Sequence, residues 1–289
     1  MFYPGDAHAL LQQVQKFLIG AKPYNLIPSG HGESIHHDRL PHPNLLPSVE
    51  GTNESLREFN VKALIVPHAG YIYSGAIAAA AYATLRPIAL RIKRVILLGP
   101  AHRVAVHGLA LPDADAFDTP LGRVMIDTDA ARTISHLPQV IVSSAAHEQE
   151  HSLEVQLPFL QSVLTDFTLL PLLVGMATAK EVAEVLESLW GGEETLIVIS
   201  SDLSHYLPYP IAQRIDGETV QAILNLQQPI PHDRACGGTP ISGLILAAKK
   251  HGLAPHLLDL RNSGDTAGTR DHVVGYAALA FTGDKNHVH

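Results

Sequence analysis

Three histidines stand just past three apolar runs. Val61 to Val66 leads into Pro67-His68-Ala69-Gly70, and Arg94 to Leu98 leads into Gly99-Pro100-Ala101-His102. Thr195 to Ile199 leads into Ser200-Ser201-Asp202-Leu203-Ser204-His205. Short apolar runs of this length read as buried strands, so each histidine falls at a strand exit. In open α/β sheets that edge is where ligands bind. Imidazole and thiolate donors suit zinc, iron and copper. Cys236, the single cysteine, lies in Ala235-Cys236-Gly237-Gly238-Thr239-Pro240 ahead of a helical run. The glycines allow close backbone approach, and a helix N-terminus gives a thiol more thiolate character. Two histidines and a carboxylate with open positions are the donor set of non-haem Fe(II) oxygen chemistry, and Asp202 offers a carboxylate beside His205.

Each of these residues also has a plainer reading. A lone histidine at a strand end is more often a hydrogen-bonding loop residue than a ligand, and a lone cysteine is more often a small buried hydrophobe. Asp202 serves equally as a cap for the turn that follows. Glu150, His151 and Glu154 stand before and within a helix's first turn, where they read either as capping and dipole contacts or as a pocket wall. Tyr71 and Tyr73 are core residues by type, yet their nearness to His68 also makes them candidates for the lining of a cleft. The nucleophile elbow of hydrolases, Gly-x-Ser-x-Gly, does not occur. The loop Ser263-Gly264-Asp265-Thr266-Ala267-Gly268-Thr269 lacks the spacing and the lysine of a phosphate-binding loop.

The elements that must position these groups alternate. Asp6 caps a helix from Ala7 to about Ile19, with Leu10, Leu11, Val14, Phe17 and Leu18 on one face. Residues 23–60 carry five prolines and no sustained period, and read as a long loop or insertion with a short helix near Glu54 to Phe59. Helices are expected over Gly75 to Leu85, Asp129 to His136, Leu153 to Leu164, Ala179 to Leu189, Ala212 to Asn225 and Pro240 to His251. Pro158 is expected to kink the third or to limit its first turn. The strand His107 to Leu111 is expected to pair with Gly122 to Asp127 across the polar turn Pro112 to Ala116. Val140 to Ser143 reads as a short strand and Phe167 to Val174 as a strand interrupted by Pro171. Pro255 to Asn262 and Val273 to Phe281 close the sheet. The alternation implies one α/β domain over residues 1–289, a mixed central β-sheet flanked by helices on both faces.

Composition bounds the function. The 289 residues are 46% hydrophobic and 17% charged, enough for a substantial core. The net charge of −8 without a long basic run argues against nucleic-acid binding. No apolar stretch is long enough to span a bilayer, the opening residues lack the parts of a signal peptide, and one cysteine suits a reducing compartment. These point to a cytoplasmic protein without a membrane partner.

Val66-Pro67-His68-Ala69-Gly70-Tyr71, Leu98-Gly99-Pro100-Ala101-His102, Glu150-His151-Ser152-Leu153-Glu154, Ser200-Ser201-Asp202-Leu203-Ser204-His205 and Cys236-Gly237 occur here in one order. So do the opening Phe2-Tyr3-Pro4 and the late Asn262-Ser263-Gly264-Asp265 and Val274-Gly275-Tyr276-Ala277. Together they resemble the Memo family, whose prokaryotic members are also called AmmeMemoRadiSam system protein B. The likeness covers almost the whole chain, although residues 23–60 are longer than the family's usual linker. It implies the fold of class III extradiol ring-cleaving dioxygenases. It also implies a metal site at His68, His102 and Cys236, with Asp202 and His205 as catalytic residues and Tyr71, Glu150, His151 and Asp265 around the pocket. Iron is the expected ion, with copper or zinc as alternatives. A thiol as third ligand departs from the carboxylate of the dioxygenases and is itself oxidisable. The resemblance thus leaves two readings: redox or dioxygenase-like chemistry, or a binding protein that holds a peptide or small molecule in the same pocket. The family name further implies work beside a radical SAM protein and an AMMECR-type partner.

Overall fold

The computed structural model describes residues 2–21 and 60–283. The long loop expected over residues 23–60 and its short helix lie outside the described residues, except Asn60, which opens a strand. Eight strands form one mixed sheet. In spatial order they are β6 (Val140–Val142), β3 (Leu109–Leu111), β7 (Thr168–Val174), β2 (Arg94–Pro100), β8 (Thr195–Ser200), β1 (Asn60–Val66), β10 (Gly275–Gly283) and β9 (Ala254–Asn262). The central four, β7-β2-β8-β1, are parallel; β10 joins β1, and β3 joins β7, antiparallel. A separate two-stranded ribbon pairs β4 (Ala116–Thr119) with β5 (Gly122–Met125).

Strict alternation along the central strands divides the core in two. Leu64, Val66, Val95, Leu97, Leu196 and Val198 face one layer, and Ala63, Ile65, Ile96, Leu98, Ile197 and Ile199 the other. This is the pattern of strands buried on both faces. The first layer is α1 (Ala7–Gly20), α2 (Tyr71–Ala83) and α5 (Leu157–Val163), and the second is α3 (Thr128–Ile134), α6 (Ala179–Ser188), α7 (Tyr209–Leu224) and α8 (Gly238–Lys250). Helix α4 (Ser144–Glu148) is a single short turn. Asp6 caps α1 through a bond accepted from the Ala9 N–H at 2.8 Å, and Leu10, Val14 and Leu18 bury one stripe. Among the described residues no helix is long and apolar enough to cross a membrane.

Three expectations from the sequence change. The segment after His107 does not pair with Gly122–Met125. Residues 116–119, of which only Ala116 was read into the polar turn, form the partner strand instead, and Leu109–Leu111 enters the main sheet beside β6 and β7. Helix Leu153–Leu164 splits into a 3-10 turn, Glu154–Gln156, and then α5, whose Pro158 sits in the first turn where a missing N–H is harmless. Pro171 does not interrupt β7, which pairs with β2 from Thr168 to Val174. On its other side β3 reaches only Leu173 and Val174, so Pro171 meets no strand that needs its absent donor.

Candidate metal centre

The order β2-β8-β1 puts three neighbouring parallel strands side by side with their carboxyl ends together. His102 follows β2, His68 follows β1, and β8 ends between them at Ser200. The Ser200 hydroxyl organises that edge. It donates to the Ser152 carbonyl at 2.5 Å and accepts from Gln156 Nε2 at 2.8 Å. Gln156 Nε2 also reaches the Pro67 carbonyl at 2.9 Å. With its only hydrogen committed, Ser200 Oγ can only accept from His68 Nδ1, 2.9 Å away. That bond fixes the Nδ1–H tautomer of His68 and leaves the lone pair on Nε2.

Glu150 does the same for His102. Its carboxylate accepts from the His102 backbone N–H at 2.6 Å and from His102 Nδ1 at 2.9 Å, and also from the N–H groups of His151 and Ser152, each at 3.0 Å. A carboxylate only accepts, so Nδ1 carries the hydrogen and Nε2 is again the unprotonated nitrogen. Burial alone pushes the Glu150 carboxyl up, but the His102 ring, the His102 N–H and the Ser152 N–H outweigh it and hold it down at about 2. The turn that carries Glu150 docks on β2 through Ser152 Oγ, which donates to the Pro100 carbonyl at 2.9 Å. A side chain on Gly99 would meet that hydroxyl at 2.9 Å and Leu153 at 2.8 Å, so the strand end needs glycine.

His151 completes the group. One donor atom from each of His68, His102 and His151 lies within 4.8 Å of the others. Ring centroids are 5.3 Å apart for His68–His102, 5.6 Å for His68–His151 and 5.2 Å for His102–His151. His68 is 2% exposed, whereas His102 opens to solvent, so the group has a dry floor and a wet mouth. Burial first, and the neighbouring imidazoles second, push His68 down to about 3 and His151 down to about 4. Both rings are therefore neutral near pH 7, the form a metal requires. His151 Nδ1 is buried without a hydrogen-bond partner among the described residues. Buried polar atoms left in that state are uncommon in folded proteins. Imidazoles with a committed outer nitrogen, a shared focus and an orphaned third ring are the donor chemistry of a borderline transition-metal ion.

Cys236 stands beside this group. Its Sγ is 3.3 Å from His68 Nε2 but does not belong to the set of mutually close donors. Because His68 Nε2 holds the lone pair, the thiol hydrogen points to it. The helix-terminus effect expected on Cys236 does not prevail: burial, and then the Asp202 carboxylate, push the thiol up to about 12. Helix α8 begins only at Gly238. Gly237 gives its N–H to Ser201 Oγ at 2.9 Å, and a Cβ there would lie 2.6 Å from Ser201 Cβ. The glycine is thus what lets the cysteine loop settle against β8.

Asp202 is 5% exposed and accepts from the His68 backbone N–H at 2.7 Å. It pins the main chain of the β1 exit, and among the described residues no hydrogen bond joins it to His205. His205 lies exposed between two anchored residues: Ser204, whose N–H is held by the buried Asp216 at 3.0 Å, and Leu207, bridged to Val273. Tyr71 is core. It is 3% exposed, its hydroxyl donates to the Val155 carbonyl at 2.7 Å, and its ring packs on Tyr3, Phe17 and Phe159. Asp265 follows β9, two strands outward from β1, roughly 10 Å by strand spacing. There it accepts from Tyr209 Oη and the Asn262 N–H. His151 was legible only as a wall residue, since nothing in Glu-His-Ser-Leu-Glu marks a ring that turns back toward two other strand ends. A cavity of about 380 Å³ lies on the far side of Glu150, lined among others by Phe117, His147, Glu154 and Leu157, and it touches the imidazole group only through Glu150.

The architecture and the site define a class: an α/β protein with an imidazole cluster on the carboxyl edge of its parallel strands. A family model described as Memo-like protein matches residues 1–280. A MEMO1 family protein of Methanosarcina barkeri is 38% identical over 238 residues, covering 78% of this chain and 88% of the relative. One from Aquifex aeolicus is 36% identical over 240 residues, covering 79% and 88%. One from Pyrobaculum arsenaticum is 31% identical over 296 residues, covering 97% and 95%. The chain belongs to the Memo family. Its fold is also similar to that of an uncharacterized protein from Escherichia coli K12, JW3007, with a TM-score of 0.52 at 16% identity, covering 75% of this chain and 99% of the other.

Proposed function

We propose that this protein binds one transition-metal ion through His68 and His102, with Cys236 and His151 as the further donors, and uses it in redox or dioxygenase-like chemistry on a small phenolic or catechol-like molecule. Iron is the favoured ion, and copper and zinc are the alternatives. The observation that carries the reading is the pair of unprotonated Nε2 atoms, each made so by a committed acceptor on the other ring nitrogen, with the Cys236 thiol 3.3 Å from that of His68. Such outer hydrogen bonds orient ligating histidines in metal proteins. When bound, iron would supply a Lewis acid that can also exchange electrons.

The chain's own residues have distinct tasks in this reading. His68 and His102 present neutral nitrogens, and Ser200 and Glu150 keep them aimed. Cys236 gives up the thiol proton that now points at His68 Nε2, which makes loading easier at higher pH. His205, exposed at the β8 exit, takes or returns the proton of a phenolic hydroxyl. Asp202 keeps the β1 exit closed up against β8, so that His68 faces the same point as His102. Anaerobic titration with Fe(II) tests the reading. The wild type should take up one ion per chain and His68→Ala should not; equal binding without stoichiometry by both would refute it. Oxygen uptake with a panel of catechols then separates turnover from ligand binding alone.

A further inference from the structure

The imidazole group is built from two strand exits and the turn at Glu150, yet one of its walls comes from the first residues of the chain. The Phe2 ring stacks on the His151 ring with centroids 4.2 Å apart and planes 9° from parallel. The same imidazole stacks on His102 at 15°, while His68 meets both edge-on. Phe2 is itself fixed. Its carbonyl accepts from the Tyr71 N–H at 2.9 Å, three residues beyond His68, so the segment is tied to the strand exit that bears another member of the group. Tyr3 follows with its ring 5.4 Å from that of Tyr71. Helix α1 then packs on α2 so closely that a Cβ on Gly75 would lie 2.6 Å from the Phe17 ring.

His151 has particular need of such a wall. His68 is oriented by Ser200 and His102 by Glu150, both through Nδ1. His151 Nδ1 makes no hydrogen bond among the described residues, the Glu150 carboxylate coming only to 3.5 Å. A ring without an outer hydrogen bond rotates about its side-chain bonds unless packing stops it. Stacked aromatic planes attract each other beyond their buried area and prefer defined offsets, which selects one ring plane.

We infer that Phe2 is a positioning residue for the metal centre: its stacked ring holds the His151 imidazole in the plane that turns a nitrogen toward His68 and His102. The N-terminal segment thus does for the third ring, by an aromatic surface, what a carboxylate and a hydroxyl do for the other two. The inference rests on reading the imidazole group as a metal site.

The test uses the full chain with two substitutions, Phe2→Leu, which keeps bulk but removes the plane, and Phe2→Tyr, which keeps the plane. Co(II) is the probe, followed by its visible absorption. NMR of the His151 ring protons in metal-free protein, assigned with His151→Gln, follows ring position independently of any ion. Phe2→Leu should remove the ring-current shift of His151, weaken Co(II) binding by about tenfold and alter the visible band. Phe2→Tyr should restore all three, with both variants melting alike without metal. Wild-type Co(II) affinity and spectrum in Phe2→Leu would overturn the inference, as would a Phe2→Tyr variant no better than Phe2→Leu. Absence of stoichiometric Co(II) binding by the wild type would instead overturn the metal reading itself, and the inference with it.

Discussion

The Glu150 carboxylate grips His102 at two points, the backbone N–H at 2.6 Å and ring Nδ1 at 2.9 Å. One side chain therefore sets both where the residue sits and which nitrogen is free. Glu150→Gln keeps the shape but replaces one acceptor oxygen with a donor, so it cannot serve all four N–H groups. Metal affinity should fall by about 10–100-fold, the usual effect of removing such an outer partner. Competition against a chromophoric chelator measures it; unchanged affinity would show that the grip does not matter to the ion.

Metal-free protein should lose stability on mild acidification. His68 and His151 are held down at about 3 and about 4, mainly by burial, whereas unfolded histidine titrates near about 6.5. Between those values the unfolded chain binds protons that the folded chain refuses, so stability is complete above about pH 6.5 and declines as pH falls toward 4. Glu150, held down at about 2 by its hydrogen bonds, adds a loss of the same sign at still lower pH. Asp202, raised by burial, opposes it. Urea midpoints at stepped pH should fall across the histidine window, and His68→Gln should flatten the slope. A flat profile in the wild type would contradict the burial of neutral rings.

Gly237→Ala should destabilise the fold by about 1–3 kcal/mol, the range for overpacking a tight contact. Its Cβ would lie 2.6 Å from Ser201 Cβ and 3.0 Å from the Ser200 carbonyl oxygen, against the backbone at the end of β8. The same change should move the Cys236 thiol away from His68. Chemical denaturation gives the first effect, and the rate of thiol labelling the second, which should rise.

Lys62→Met offers a control far from the site. Its Nζ donates to the carbonyls of Trp190, Gly192 and Thr195 at 2.5, 2.8 and 2.9 Å, at the strand ends opposite the imidazoles. Leaving the buried Thr195 carbonyl without its donor costs about 1–3 kcal/mol, while the Trp190 and Gly192 carbonyls are nearer solvent. Stability should fall by that order while metal affinity holds; a parallel loss of both would mean that the two ends of the sheet are coupled.

Much of this architecture was legible in the sequence because period and punctuation agree. Unbroken apolar runs such as Leu64-Ile65-Val66 and Val95 to Leu98 pointed to the doubly covered sheet, and Asp6 before Leu10, Val14 and Leu18 pointed to α1. Failure came where the deciding fact lay outside the segment. Ala116 to Thr119 is too polar to read as a strand, and it becomes one because Gly122–Met125 folds back on it. Pro171 is harmless only because the neighbouring strand is short. At the site, His68 and His102 followed from strand exits. Tyr71 instead fell into the core because the first turn of α2 faces α1 and α5. His151 needed the Ser152–Pro100 contact, which joins residues 52 apart in the chain and leaves no local trace.

The most direct test of the central claim is anomalous diffraction from crystals loaded with one equivalent of Fe(II) without oxygen. The account predicts a single peak within about 2.0–2.3 Å of His68 Nε2 and His102 Nε2. A fully occupied peak elsewhere, or none after loading, would contradict it.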